Sequence, residues 1–271
     1  MKTAPYPSSE RDALVTDRYV TISVDDGSAD DMKTADLLDK YGLQATFYMP
    51  ARNPERPVIT PGQMRELSQR FEVGSHTLNH TPLKFLSDEK AYREISEGKT
   101  WMEEALGKPV TSFCYPRGKF SGTTPQLVEK AGFIGARTSL QNLHQFPQNR
   151  FLWGVSTLAY SLSKVIHVRH ALLEGNFTGI RNFFRDYKGA TDWEQHFHCA
   201  LDYVEQHGGI AHLTMHSWET ESLGEWKKLE SAFAAISRRR LTSVTNGYLY
   251  NIWGSSRVSP VPVAEPAGGS R

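Results

Sequence analysis

Along the 271-residue chain, short runs of β-branched and aromatic residues alternate with longer stretches whose apolar positions recur every three to four residues. The first kind predicts strands over 19–24, 44–49, 72–75, 111–115, 134–138, 209–215 and 241–245. The second predicts helices over 31–41, 61–70, 88–106, 125–131, 193–206 and 225–238, with Gly42, Gly107, Gly132 and Gly208 standing where C-terminal caps are wanted. Strands alternating with helices in this way build parallel sheets, so the fold class is α/β, layered or barrel. The segment 139–192 breaks the rhythm: it offers one helix, 163–173, and many aromatics, and reads as an elaboration over one mouth of a barrel. The expected division is an N-terminal tail at 1–18, a single domain at 19–250 and a disordered tail rich in Pro, Gly and Ser at 258–271.

Charge changes this picture little. With 31 basic residues against 30 acidic and 10 histidines, no global field points to nucleic acid or a membrane surface as the main partner. Locally, 164–188 carries five Lys or Arg against two acids, a net of +3, interleaved with Phe177, Phe183, Phe184 and Tyr187. Two readings stand for it, a receptor for an anionic carrier such as a nucleotide- or lipid-linked pyrophosphate and a solvated helix face, and the second is preferred. Cys114 and Cys199 form no metal-ligand pair and no disulfide framework, so both are expected to be reduced. No run has the length of a signal peptide or an integral membrane segment, and the expected location is cytoplasmic.

Candidate chemistry collects at strand ends. The first strand, in "YVTISVDDGSAD", stops on Asp25 and Asp26, a pair that a simple Asp-Gly turn would also explain. The third runs into "HTLNH", with His76 and His80 four residues apart; a helical turn there would put both imidazoles on one side, as a two-histidine metal site requires. In "GIAHLTMHSWE" alternation puts His212, Thr214 and His216 on one face. His212 reads as a buried imidazole satisfying a local group, and His216, beside Trp218 and Glu219, as functional. Ligands bind at the carboxyl ends of strands in parallel α/β folds. Asp25, Asp26, His76, His80 and His216 all fall there.

These residues, with the blocks "SVDDG", "ATFYMP", "FEVGSHTLNH", "FCYPRGKF" and "HLTMHSWE", give a chain that resembles the polysaccharide deacetylases, the NodB-homology enzymes of carbohydrate esterase family 4. The "HSWE" ending is similar to a branch of small bacterial members. The resemblance covers roughly 19–245. It implies a distorted (β/α) barrel of seven or eight strands, TIM-barrel-like, and a hydrolase that removes N-acetyl groups from an amino-sugar-containing glycan or glycoconjugate. It also implies one divalent metal ion, with zinc first and cobalt, nickel or manganese as alternatives. Carried onto this sequence, it makes Asp26, His76 and His80 the metal ligands, Asp25 the catalytic base, His216 the catalytic acid and the Tyr115 N–H the oxyanion donor.

Two departures stand out. The arginine that commonly opens the third motif and holds the base is replaced by Cys114, and the fourth motif has no clear match, "RFLWGVSTLAY" being its candidate region. A substitute cation should reach Asp25 from another strand end, Arg137 first and Arg117 second. Tyr115, Arg137 and Trp218 are the candidates for the substrate-binding side, the two aromatics as stacking platforms for a sugar face. The expected partner is an N-acetylated amino sugar or glycan, with no nucleic acid. The alternatives are a metal-dependent deformylase or amidase acting on a lipid- or nucleotide-linked amino sugar, and a catalytically weak carbohydrate-binding relative.

Overall fold

The computed structural model describes residues 18–255. The expected tails lie outside it except for Arg18, which opens the first strand. In chain order the elements are β1 (Arg18–Asp25), α1 (Asp31–Lys40), β2 (Thr46–Met49), α2 (Pro61–Arg70), β3 (Glu72–Ser75), α3 (Asp88–Leu106), β4 (Ser112–Cys114), α4 (Thr124–Lys130), β5 (Gly135–Arg137) and β6 (Thr157–Leu158). They continue as α5 (Lys164–Leu173), α6 (Phe177–Arg185), α7 (Trp193–His207), β7 (Gly209–Met215), α8 (Ser217–Leu223), α9 (Trp226–Ser237), β8 (Thr242–Ser243) and α10 (Asn246–Ser255).

All strands pair in parallel, in the order β5-β4-β3-β2-β1-β7-β6, with β8 lying beside the start of β1. The sheet curls, and the stretch 150–159 ties its two edges together. On one side Thr138 donates its N–H to the Trp153 carbonyl at 2.7 Å; on the other Ser156 and Ala159 donate to the His212 and Thr214 carbonyls at 3.0 and 2.8 Å. This is the expected α/β barrel.

The barrel interior is layered by the period-2 alternation of its strands. In β1, Val20, Ile22 and Val24 face outward into the apolar layer under the helices, with Leu38, Leu67, Ile95 and Phe233. Tyr19 faces the other way, into an apolar floor with Ile210, Trp153, Leu249 and Tyr250. Above that floor is a neutral polar layer. Asn246 accepts from Thr21 Oγ1 at 2.8 Å and donates to Ser23 Oγ and Tyr48 Oη at 2.9 Å each, and Tyr48 and Tyr250 share a hydroxyl contact of 3.0 Å. Asp25 ends β1 one layer higher still.

Sequence reading missed α10, the helix that plugs this barrel. It opens on Asn-Gly, a turn signal, and is apolar around much of its circumference, so neither caps nor periodicity reveal it. Its seat is fitted by Gly135, where a Cβ would stand 2.3 Å from the Tyr250 ring. The helices α6 and α8 and the two-residue β6 were also missed, β6 because two residues carry no period.

Candidate active site

The strand ends meet in a cleft of about 440 Å³. β1 ends at Asp25, and Asp26 then takes a left-handed backbone, φ 78°, which a short polar side chain tolerates better than most. That turn separates the two neighbouring carboxylates.

Asp26 faces His76 and His80. Its Oδ1 lies 3.7 Å from His76 Nε2 and 3.1 Å from His80 Nε2, yet no hydrogen-bond donor is aimed at it, and the side chain is buried. His76 Nδ1 is 2.9 Å from the Cys114 carbonyl, which can only accept, so Nδ1 carries the proton and Nε2 presents a lone pair to the carboxylate. Burial pushes the His76 imidazole down to about 4, so it is neutral at pH 7. Two lone-pair atoms facing each other across 3.7 Å in a buried site call for a cation between them. The ligand atoms of Asp26, His76 and His80 all lie within 4.8 Å of one another, a donor set of one oxygen and two nitrogens that suits a borderline divalent ion. For Asp26 burial acts to raise the carboxyl, but the neighbouring His80, His216 and His76 imidazoles overrule it and hold it far below the usual carboxylate range.

The two histidines do not converge through a helical turn. Residues 76–80 are a loop, with Thr77 at φ 70° and His80 at φ 55°. The strained backbone is held from several sides. Ala51 and Arg52 donate N–H groups to the Thr77 and Leu78 carbonyls, Leu78 donates to the Glu94 carbonyl, and Asn79 is bound through its N–H and Nδ2 by the Glu94 carboxylate. Gly98 of α3 makes room for the loop, since a Cβ there would meet the Thr77 and Leu78 backbone at 2.7 Å. Positive φ in a β-branched residue persists only where surroundings over-determine it, and functional sites are where that is found.

Arg137 is the cation beside Asp25. Its Nη2 contacts both carboxylate oxygens, and the two side chains are buried, Arg137 to 2% exposure and Asp25 to 4%. Arg117 instead pairs with Glu55 on the surface. Burial disfavours the Arg137 charge, but Asp25 more than offsets this and raises its already high pKa further. Arg137, grouped from sequence with the substrate-binding residues, lines the cleft with its guanidinium engaged by Asp25.

Both aromatic candidates line the cleft with their polar atoms already bonded. Tyr115 is 1% exposed, its hydroxyl donates to the Phe151 carbonyl at 3.0 Å and its N–H to the Arg137 carbonyl at 3.2 Å. The β4–β5 ladder runs one residue past Cys114 and consumes the N–H expected as the oxyanion donor. Trp218 donates Nε1 to Asp26 Oδ2 at 2.9 Å, and the Arg56 guanidinium covers its ring at 3.4 Å. It orients Asp26 and has a cation where a sugar was expected. Arg56, also 3.7 Å from Asp26 Oδ2, sits in an irregular loop that no periodicity flags.

His216 ends the site opposite. It follows β7, precedes α8 and faces Glu219, three residues on, with Nδ1 3.2 Å from Oε2. Burial acts to lower the imidazole, but that hydrogen bond, with Asp26 and Asp25 nearby, raises it above its ordinary value. "HSWE" thus carries a His–carboxylate pair and the Asp26 orienter in one turn. His212 is, as read, a buried imidazole, 2.6 Å from Ser23 Oγ. Cys114 and Cys199 are free thiols.

A model of the polysaccharide deacetylase family matches residues 13–136. Over this stretch the chain is similar to that family. The matched stretch supports a deacetylase hydrolase acting on carbon–nitrogen bonds, and the solved structures that superpose support the NodB-type barrel. A peptidoglycan-N-acetylglucosamine deacetylase of Bacillus cereus is 29% identical over 150 residues, covering 55% of this chain and 68% of that protein. Among solved structures, the carbohydrate esterase family 4 domain of a multidomain xylanase from a Trinervitermes trinervoides hindgut metagenome is 17% identical, covers 88% of this chain and 92% of its own, and superposes with a TM-score of 0.57. A family 4 pseudoenzyme from Bacillus anthracis, 15% identical and covering 87% of this chain and 66% of its own, has a TM-score of 0.52. Likeness at that level speaks for the fold alone, so the chemistry rests on the site residues.

Proposed function

We propose that this protein is a metal-dependent deacetylase that hydrolyses the N-acetyl group of an amino sugar within a glycan or glycoconjugate. The observation that carries the reading is the joint presence, in one cleft, of the Asp26–His76–His80 donor set, the Arg137-held Asp25 and the Glu219-held His216. A divalent ion, zinc by donor type, would be held by Asp26, His76 and His80 and would supply Lewis acidity for the acyl oxygen and a more acidic water.

The chain's own groups supply the proton transfers. Asp25, fixed by the Arg137 guanidinium, accepts a proton from the attacking water. His216, kept protonated more readily by Glu219, gives a proton to the leaving nitrogen as the carbon–nitrogen bond breaks. Each transfer is worth about 10² to 10⁴ in rate. Water and amide give a carboxylate and an amine, so no further reactant is needed. With Tyr115 and Trp218 turned to other tasks, the polar substrate contacts fall to Gln141 Oε1 and Thr214 Oγ1, both buried, both facing the cleft and neither hydrogen-bonded.

The test is metal analysis combined with acetate release from N-acetylated amino-sugar oligomers. The native protein should hold about one divalent ion and release acetate, and Asp26→Asn should lose both. A protein that binds no divalent ion, or an Asp26→Asn variant that keeps its metal, removes the reading. Release of formate but not acetate from an otherwise matched panel would move the assignment to the deformylase alternative.

A further inference from the structure

The segment read from sequence as a solvated helix face is not polar. On α5, Val165 (75% exposed), Ile166, Leu172 and Leu173 (72%) surround Arg169, and on α6, Phe177 (69%) and Phe184 (57%) flank Arg181. Spacings of three, four and seven residues put each set on one helix face. The opposite faces are fixed inward. His167 and Ala171 of α5 and Gly179, Asn182 and Phe183 of α6 are buried, and Asn176 and Asn182 donate their side-chain amides to the Gln141 and Asn142 carbonyls at 2.8 Å. The two helices pack on each other, so two apolar stripes, each centred on an arginine, lie side by side on the surface.

We propose that this face docks on an anionic phospholipid bilayer. Exposed apolar side chains interleaved with arginines are the chemistry of a helix that lies in a lipid interface, the chains entering the acyl boundary while the guanidinium groups rise to the phosphates. The two acids of the segment do not oppose this. Glu174 lies 3.8 Å from Lys119, and Asp186 is held between Arg185 and His144. A second copy fits less well, because an isologous contact would bring Arg169 and Arg181 against their own counterparts. Among the described residues no helix is long and apolar enough to cross a membrane, so the contact is peripheral. His170 and Glu174, at the end of α5, line the catalytic cleft, which therefore opens beside the docked face. A substrate amino sugar carried on a lipid would meet it there; that corollary rests on the proposed hydrolase reading, whereas docking does not.

The full chain is sedimented with vesicles of equal parts phosphatidylglycerol and phosphatidylcholine, and with pure phosphatidylcholine. Binding should favour the anionic vesicles and fall at high salt. It should drop by about tenfold or more in Phe177→Ser/Phe184→Ser and in Arg169→Glu/Arg181→Glu, with melting temperature and turnover of a soluble substrate unchanged. Equal binding to both vesicle types, or native binding by both variants, overturns the proposal. So does a concentration-dependent dimer dissolved by Phe177→Ser/Phe184→Ser, which would assign the face to a second copy of this chain.

Discussion

The middle and upper layers of the barrel interior are both polar and both buried, yet they are built on opposite principles. In the middle layer Thr21, Ser23, Tyr48, His212, Asn246 and Tyr250 are neutral groups joined by hydrogen bonds. In the layer above, Asp25 meets Arg137, and Asp26 meets two imidazoles with an oxygen left unsatisfied. Neutral, satisfied groups add stability and uniqueness, whereas desolvated charges cost several kcal/mol of order of magnitude each before their attraction is counted. The difference teaches that the lower layer holds the barrel in shape and the upper one spends that stability on chemistry.

Arg137→Met should give the largest effect. It leaves Asp25 buried without a counter-charge, so stability should fall by about 3 to 5 kcal/mol, and turnover by about 10²-fold or more. Because Arg137 acts through Asp25, the double variant with Asp25→Asn should lose no more activity than Asp25→Asn alone. Arg137→Lys restores charge without the guanidinium fork and should recover part of the loss. Metal content should stay near native in all three. Additive losses in the double variant would show that Arg137 does not work through the base.

The matching cut in the middle layer is Asn246→Ala. It strips partners from Thr21, Ser23 and Tyr48 at once, and burial of unpaired hydroxyls predicts a loss of about 1 to 3 kcal/mol, read as a lower melting temperature. Metal content and turnover should remain close to native. If turnover falls as steeply as in Arg137→Met, the two layers are not separable and the comparison fails.

The upper layer was the more legible of the two in sequence. Strand ends are where parallel α/β folds collect ligands, so Asp25, Asp26, His76, His80 and His216 could be read from alternation and order alone, and Arg137 was reachable because it closes a strand. What sequence could not supply was the path between them. The "HTLNH" spacing suits a helix as well as the loop that forms, and contacts from distant parts of the chain decide it, the Ala51 and Arg52 N–H groups with Glu94 and Gly98 of α3. For Tyr115 and Trp218 the bonds to Phe151 and Asp26 were out of reach of sequence, because an aromatic near a mouth carries no mark of where its polar atom bonds. The middle layer was nearly invisible. Thr21 and Ser23 alternate with apolar neighbours as on any half-buried strand, and their partner Asn246 lies 225 and 223 residues away in the plug helix that no pattern announced.

The smallest effect tests the one charged pair of the upper layer that is local and partly exposed. Glu219 holds His216 Nδ1 at 3.2 Å, with side chains 23% and 25% exposed, so solvent screens the pair and its removal should cost less than loss of the buried Asp25–Arg137 contact. His216 must be protonated to act as the acid, so activity should fall as pH rises through its pKa, and Glu219 is the leading group raising that pKa against burial. Glu219→Gln should therefore move the alkaline limb of the kcat/KM profile to lower pH, and lower turnover at pH 8 by about tenfold or less. Toward acid pH, as His216 becomes protonated in both proteins, the two should converge. KM and metal content should change little, because Glu219 touches neither the proposed ligand set nor Gln141 and Thr214. A limb that stays in place in Glu219→Gln would mean that the imidazole is tuned by Asp25 and Asp26 alone, and that the acid half of the site, unlike the base half, needs no partner of its own.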